Sequence, residues 1–387
     1  MSDWKVNWNY PTQIRSGVGR VQELGTLCLE LGMTSPLLVT DSGLAKLPMT
    51  HTALAQLEQA GLRASLFSQV QPNPTGHDVT RGVTAFVEGS HDGIIALGGG
   101  SGLDAGKAIA LAARQSADLW DFEDVGDNYK KADPKLIPPI IAIPTTAGTG
   151  SEVGRCAVIL DETAQLKKIL FHPNMLPQIV ILDPELTVGL PASVTAATGM
   201  DALSHCLEAL CSPFFHPQAD GIACEGIRLI KEYLPVAYKD GSNIEARQMM
   251  LVAAMMGATA FQKGLGAMHA LAHPLGAHYG THHGLLNAIL MPYVLKANRS
   301  AISDRTQRLA RYLNLSDSEQ DPVLDWVLRM RQTLAIPHRL KEVQISDEKT
   351  ALIASLAIND PSASTNPIQF SKEEYEAILV EAIEGEL

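Results

Sequence analysis

Two groups of residues in this chain have the types and spacing that chemistry needs. The first is rich in histidine. Five of the twelve histidines fall between positions 269 and 283: His269, His273, His278, His282 and His283. Upstream, Asp201 and His205 stand four apart in a segment with helical spacing, which puts both on one face, a turn apart. A carboxylate with imidazoles is an O/N donor set suited to Fe(II), Zn(II) or a similar divalent ion. His269 and His273 repeat the four-residue spacing. Pro274 and Gly276 are expected to break the helix beyond them, so that His283 returns from another segment. Spacing alone leaves open which of the five imidazoles take part. A lone histidine on an apolar helix is more often a satisfied core residue than a ligand.

The second group is rich in glycine. Gly98-Gly-Gly-Ser-Gly-Leu-Asp-Ala-Gly-Lys-Ala-Ile-Ala110 follows a strand pattern and opens a helix pattern. Such a turn lets the backbone approach a pyrophosphate and offers helix-start N–H groups to its charge. It is not a Walker A loop, because Ser101 and Ala108 stand where that motif needs Gly and Ser or Thr. Pro144-Thr-Thr-Ala-Gly-Thr-Gly-Ser-Glu-Val153 is a second turn of this kind. Two such turns at neighbouring strand ends suit a dinucleotide better than either alone. Asp41 ends the first strand, where a carboxylate accepts from ribose hydroxyls and repels a 2′-phosphate, favouring NAD. It is equally placed to cap the next helix.

The elements that must position these groups divide the chain in two. In the first half, strand patterns at 36–41, 64–70, 93–97 and 139–143 alternate with helix patterns at 50–61, 79–88 and 103–114. That alternation implies right-handed crossovers and a mostly parallel sheet. From about Ala192 the pattern turns helical, with long helices expected at 195–211, 219–233 and 244–261. Asp183-Pro-Glu-Leu-Thr-Val-Gly-Leu-Pro191 is a turn-rich hinge candidate. We therefore expect an α/β dinucleotide-binding domain over 1–187 and an all-helical metal-binding domain over 188–387.

Composition narrows the classes further. The chain has 387 residues, 42 acidic against 30 basic, a net charge of −12, and 46% hydrophobic residues. That balance argues against a nucleic-acid partner. An anionic substrate would need a local basic clamp. No apolar run is long enough for a membrane span. Met1-Ser-Asp-Trp-Lys5 has no basic-then-apolar leader. Cys28, Cys156, Cys206, Cys211 and Cys224 form no C-x-x-C pair, so a reduced, cytoplasmic chain is expected.

Over nearly its whole length the chain resembles the iron-containing (group III) alcohol dehydrogenases. The likeness rests on Gly98–Ser101, Pro144–Val153, Asp183-Pro-Glu-Leu-Thr187, Ala197-Thr-Gly-Met-Asp-Ala202, His269-Ala-Leu-Ala-His-Pro-Leu-Gly276 and His283-Gly284. The resemblance implies a dehydroquinate synthase-like fold, an α/β nucleotide domain plus a helical domain, with the site in the cleft between them. It implies metal ligands Asp201, His205, His269 and His283, with Fe(II) favoured and Zn(II) the alternative. It makes His273 the candidate for proton transfer. Gly98, Gly99, Gly100 and Ser101 would hold the NAD pyrophosphate. Thr145, Thr146 and Thr149 would line the adenosine and phosphate path, with Lys167 on the ribose side. Asp104 and Asp41 join the cofactor residues. A homodimer is implied as well.

A narrower likeness, to bacterial 4-hydroxybutyrate dehydrogenases of this family, rests on Ser151-Glu-Val-Gly-Arg155, Ala260-Phe-Gln-Lys-Gly-Leu-Gly266, Phe214–Gly221 and Gly280–Gly284. It implies Arg155 and Lys263 as a cationic clamp for the carboxylate of a small hydroxy acid. The metal would act as Lewis acid and template, and hydride would pass to NAD⁺. The other substrate class is neutral short alcohols or diols. A lyase of the dehydroquinate synthase kind is disfavoured, since those enzymes lack the Asp-x-x-x-His pattern.

Overall fold

A computed structural model describes residues 10, 12–164, 166–315 and 320–387. The stretch read for a leader, Met1 to Lys5, lies outside the described residues. The described chain forms two compact units, Tyr10–Gly189 and Leu190–Leu387.

The first unit is built on a six-stranded sheet in which every pairing is parallel. Its strands are β1 (Gln13–Ser16), β2 (Pro36–Asp41), β3 (Ser65–Val70), β4 (Gly93–Gly98), β5 (Ile140–Pro144) and β8 (Ile179–Leu182). Spatial order is β1-β8-β5-β4-β2-β3. β4 and β8 are buried along their whole length, as expected of parallel strands covered on both faces. The intervening helices are α1 (Leu24–Glu30), α2 (Pro48–Gln59), α3 (Gly76–Glu88) and α4 (Gly100–Ala112). Leu24, Leu27 and Leu57 from α1 and α2 pack with Leu38, Ile95, Ile141 and Ile181 of the strands. An antiparallel hairpin, β6 (Cys156–Asp161) with β7 (Leu166–Phe171), pairs Cys156 with Phe171.

β2 pairs with β3 on one side and β4 on the other. The strand order therefore reverses there, and the carboxyl ends of β2 and β4 flank the crevice where open α/β sheets bind ligands. Asp41 and Gly98 are those two strand ends.

The second unit is helical: α5 (Ala192–Cys211), α6 (Pro217–Lys239), α7 (Ile244–Ala260), α8 (Ala267–Tyr279), α9 (His283–Tyr312), α10 (Pro322–Thr333), α11 (Thr350–Ala357) and α12 (Lys372–Glu384). α5 is buried on all sides from Thr195 to Cys211. Its neighbours approach at glycines. A Cβ on Gly257 of α7 would lie 3.1 Å from both the Ala202 carbonyl and His205 Cβ. Among the described residues no helix is long and apolar enough to cross a membrane.

The expected helix break at Pro274 and Gly276 is corrected. α8 runs through both to Tyr279 and stops at Gly280, whose φ of 68° provides the left-handed cap. Pro274 forfeits one backbone bond, and burial of its ring in the packed interior outweighs that loss. Pro235 and Pro292 lie inside α6 and α9 in the same way.

Candidate active site

α5 carries Asp201, His205 and Glu208 at steps of four and three, so one buried stripe holds all three. α8 adds His269 and His273, one turn apart. α9 adds His283, its first residue, and Asn287 a turn later. Gly284 allows α9 to meet α5. A Cβ there would lie 2.4 Å from the Ala197 carbonyl and 2.9 Å from Asp201 Cβ.

These helices bring one ligand atom each from Asp201, His205 and His269 to within 4.8 Å of one another. The His205 and His269 rings stack with centroids 4.8 Å apart. His283 stands at the margin, its Nε2 3.7 Å from Asp201 Oδ1 and its ring 5.2 Å from that of His269. His278 lies in the last turn of α8, and His282 takes the N-cap position of α9.

The donor set fits a divalent cation. Asn287 Nδ2 lies 2.8 Å from Asp201 Oδ1 and 3.2 Å from Nε2 of both His269 and His283. Three lone-pair atoms thus converge on an amide that has two hydrogens. Asn287 Oδ1 is buried with no hydrogen-bond partner among the described residues. Burial opposes ionisation of Asp201, but His205, His283, His269 and the Asn287 amide outweigh it and hold the carboxyl well below its usual range. Burial also disfavours a charged His269, yet Glu208, Asp201 and Asp360 raise its pKa. The pocket favours positive charge, and its oxygen and nitrogen donors suit Fe(II) or Zn(II).

Two carboxylates back the histidines of α8. Glu208 Oε2 lies 2.6 Å from His269 Nδ1. Asp360 Oδ2 lies 2.8 Å from His273 Nδ1. Burial raises the Asp360 pKa, but His273 and Ser362 outweigh it and lower it. An ionised Asp360 only accepts, so His273 Nδ1 carries the proton of that bond and Nε2 is the atom left for exchange. The His273 ring stacks on His283 at 5.3 Å.

In the α/β unit the two glycine turns pack on each other. The Thr145 N–H donates to the Gly98 carbonyl at 2.9 Å. A Cβ on Gly99 would lie 3.2 Å from Thr146 Oγ1, and one on Gly100 would lie 2.7 Å from Thr149 Cγ2. α4 starts at Gly100, and its first bond back to Gly99 comes from Leu103. The N–H groups of Gly100, Ser101 and Gly102 are therefore first-turn donors suited to a phosphate. The Ser101 hydroxyl donates to the Pro72 carbonyl.

Several of the expected site residues have partners within the protein. Lys263 is 3% exposed, and its ammonium donates to Asp220 Oδ1 at 2.5 Å and the Leu210 carbonyl at 3.1 Å. Its charge is paired with the Asp220 carboxylate. Asp104 has both oxygens engaged, by the Ser151 hydroxyl and by the Val158 N–H at 3.0 Å. It ties α4 to the second turn. Asp41 Oδ1 caps its own turn, accepting from Gly43 and Leu44 N–H at 2.8 and 2.9 Å. Arg155 lays its guanidinium over Phe171, 5.6 Å from the ring centre, and attracts Asp124. Lys167 on β7 is half-buried; burial lowers its pKa and Asp104 opposes that.

Sequence reading missed Glu208, Asn287, Asp360 and Lys107. Glu208 and Asn287 follow His205 and His283 by three and four residues, and that helical spacing was a usable signal. Lys107, 1% exposed, donates to the carbonyls of Ser151 and Cys156 at 2.8 and 2.5 Å. Asp360 is 87 residues from its histidine and carries no local signal.

A parallel α/β unit with phosphate-type turns, followed by a helical unit with a buried carboxylate–imidazole cluster, defines a metal- and dinucleotide-dependent oxidoreductase class. Residues 11–184 match the family model for iron-containing alcohol dehydrogenase, and 195–383 match that for the C-terminal part of the Fe-containing alcohol dehydrogenase family. The chain is 37% identical to a 4-hydroxybutyrate dehydrogenase of Cupriavidus necator, over 97% of this chain and 99% of that protein. It is 34% identical to an NAD-dependent methanol dehydrogenase of Bacillus methanolicus, over 98% and 100%. A solved 1,3-propanediol oxidoreductase superposes with a TM-score of 0.93 at 33% identity, covering 98% of this chain and all of that one. The chain belongs to the iron-containing alcohol dehydrogenase family. It is an NAD-dependent, iron-type alcohol dehydrogenase, and its family works with NAD and a divalent metal.

Proposed function

We propose that this enzyme interconverts a small hydroxy acid, such as 4-hydroxybutyrate, with its semialdehyde. The metal dependence of that reading is carried by the convergence of Asp201, His205 and His269 within 4.8 Å. The acid specificity is supported by the 37% identity to the 4-hydroxybutyrate dehydrogenase. Asp201, His205 and His269 would hold the ion, with His283 at their margin, and Fe(II) is the assignment we favour. When bound, the ion supplies Lewis acidity toward the substrate oxygen and the nicotinamide takes the hydride. His273 gives and takes the proton at Nε2 while Asp360 holds Nδ1. The N–H groups of Gly100, Ser101 and Gly102 hold the cofactor's pyrophosphate. Arg155 is the cation left to meet a substrate carboxylate.

One observation favours neutral alcohols or diols instead: the commitment of Lys263 to Asp220 takes away half of the expected clamp. NADH oxidation with succinate semialdehyde against butanal, after loading with Fe(II) and separately with Zn(II), separates the two. A strong preference for the semialdehyde supports the hydroxy-acid reading. Equal rates refute it and leave the dehydrogenase of neutral substrates.

A further inference from the structure

We infer that Glu208 is a positioning residue that fixes the tautomer and aim of His269 for the ion, and that it does so through the N-terminus of α8. This rests on the metal reading above. Glu208 lies outside the compact ligand set, seven residues after Asp201 on the buried stripe of α5. Its two oxygens are divided between two donors on α8. Oε1 accepts from the Met268 N–H at 2.7 Å, and Oε2 meets His269 Nδ1 at 2.6 Å.

Each bond does a different job. Met268 is in the first turn of α8, where N–H groups have no intrahelical acceptor. The N-cap is Gly266, which has no side chain to supply one. A Cβ there would lie 2.9 Å from Glu208 Oε1 and 2.8 Å from Asn366 Oδ1. The caps therefore come from elsewhere: Glu208 for Met268, and Asn366 Oδ1 for the Ala267 N–H at 3.0 Å. A carboxylate at a helix N-terminus is also favoured by the helix dipole. The second bond sets the imidazole. With Nδ1 donating to a carboxylate, Nε2 carries the lone pair, and Nε2 is the atom near Asp201 and Asn287. The anchored backbone N–H and the anchored ring nitrogen belong to adjacent residues. One rigid carboxylate thus locks both the origin and the direction of the ligand.

Glu208→Gln keeps the shape but has only one acceptor oxygen for two donors. Chelator competition on the zinc-loaded chain is expected to show about 10- to 100-fold weaker binding in Glu208→Gln than in wild type. Asn366→Ala removes the neighbouring cap without touching His269 and is expected to bind zinc near the wild-type level. Unchanged affinity in Glu208→Gln overturns the proposal. An equal loss in both variants also overturns it, since the effect would then be general support of the helix end. A wild type that binds no zinc or Fe(II) overturns the metal reading itself. A readout that needs no variant is the ¹⁵N-histidine spectrum of the zinc-loaded wild type. His269 is expected to be protonated at Nδ1 and metal-bound at Nε2, and the opposite tautomer overturns the assignment.

Discussion

Glu152 offers a stability prediction whose size follows from its surroundings. It lies in the turn after β5 and is 2% exposed. Burial pushes its carboxyl from 4.5 up to about 7, against the pull of its own backbone N–H and of Lys107. Lys107 offers limited relief, because its ammonium already serves two carbonyls and Asp104. Unfolded, the carboxyl titrates near 4.5. Between there and pH 7 the folded chain keeps a proton that the unfolded chain has released. Stability therefore falls as pH rises, by about 1.4 kcal/mol per unit. The contribution is fully present below pH 4.5 and lost by about pH 7, roughly 3 kcal/mol in all. Glu152→Gln keeps the shape and abolishes the titration. The gap in unfolding free energy between variant and wild type is expected to shift in the variant's favour by up to about 3 kcal/mol from pH 5 to pH 8. Denaturant unfolding at both pH values, followed by amide exchange in β4 and β5, measures it. A gap that stays constant, or moves the other way, refutes the reasoning.

Four further outcomes follow from the helical unit. Asp201→Asn is expected to purify folded but with little bound metal, as read by elemental analysis. His273→Ala is expected to keep its metal and lose about 10²- to 10⁴-fold in turnover; unchanged turnover across pH would count against a proton role. Lys263→Met is expected to leave the KM ratio of succinate semialdehyde to butanal unchanged while costing about 1–3 kcal/mol of stability, because it leaves the Asp220 carboxylate with only the longer Arg308 contact at 3.9 Å; a selective rise in KM for the semialdehyde would restore the clamp. Gly284→Ala should weaken metal retention and cost about 1–3 kcal/mol, since its Cβ has no room against α5; wild-type metal affinity would contradict that packing.

Most of the buried strands were plain in the sequence, because continuous apolar runs such as Gly93–Leu97 are bounded by turn residues. β1, the four-residue β8 and the β6–β7 hairpin were not foreseen. β1 has four residues, none fully buried, and β6 and β7 are mostly half-covered, so their patterns are weak. The cluster was visible as spacing, and the family resemblance selected among its histidines. What escaped was partnership across distance. Nothing near Lys263 announces Asp220, 43 residues away, and nothing near Asp104 announces Val158. A charge read from sequence looks available until the fold supplies its counter-charge.

The pairing of β1 with β8 has a consequence for how the chain is made. Gln13 lies opposite Ile179, 166 residues later, at the far edge of the sheet. At 5–20 residues per second, synthesis of that interval takes about 8–33 s. Throughout that time β1 has no strand to join, and once β5 is made its edge stands open until β8 follows. Only when β8 emerges can one late segment cover β5 and recruit the first strand together, so the final closure of this sheet is a high-contact-order event. The vulnerable species during biogenesis is thus a nearly complete sheet waiting for its last-made strand, with an open edge through which a nascent neighbour could pair.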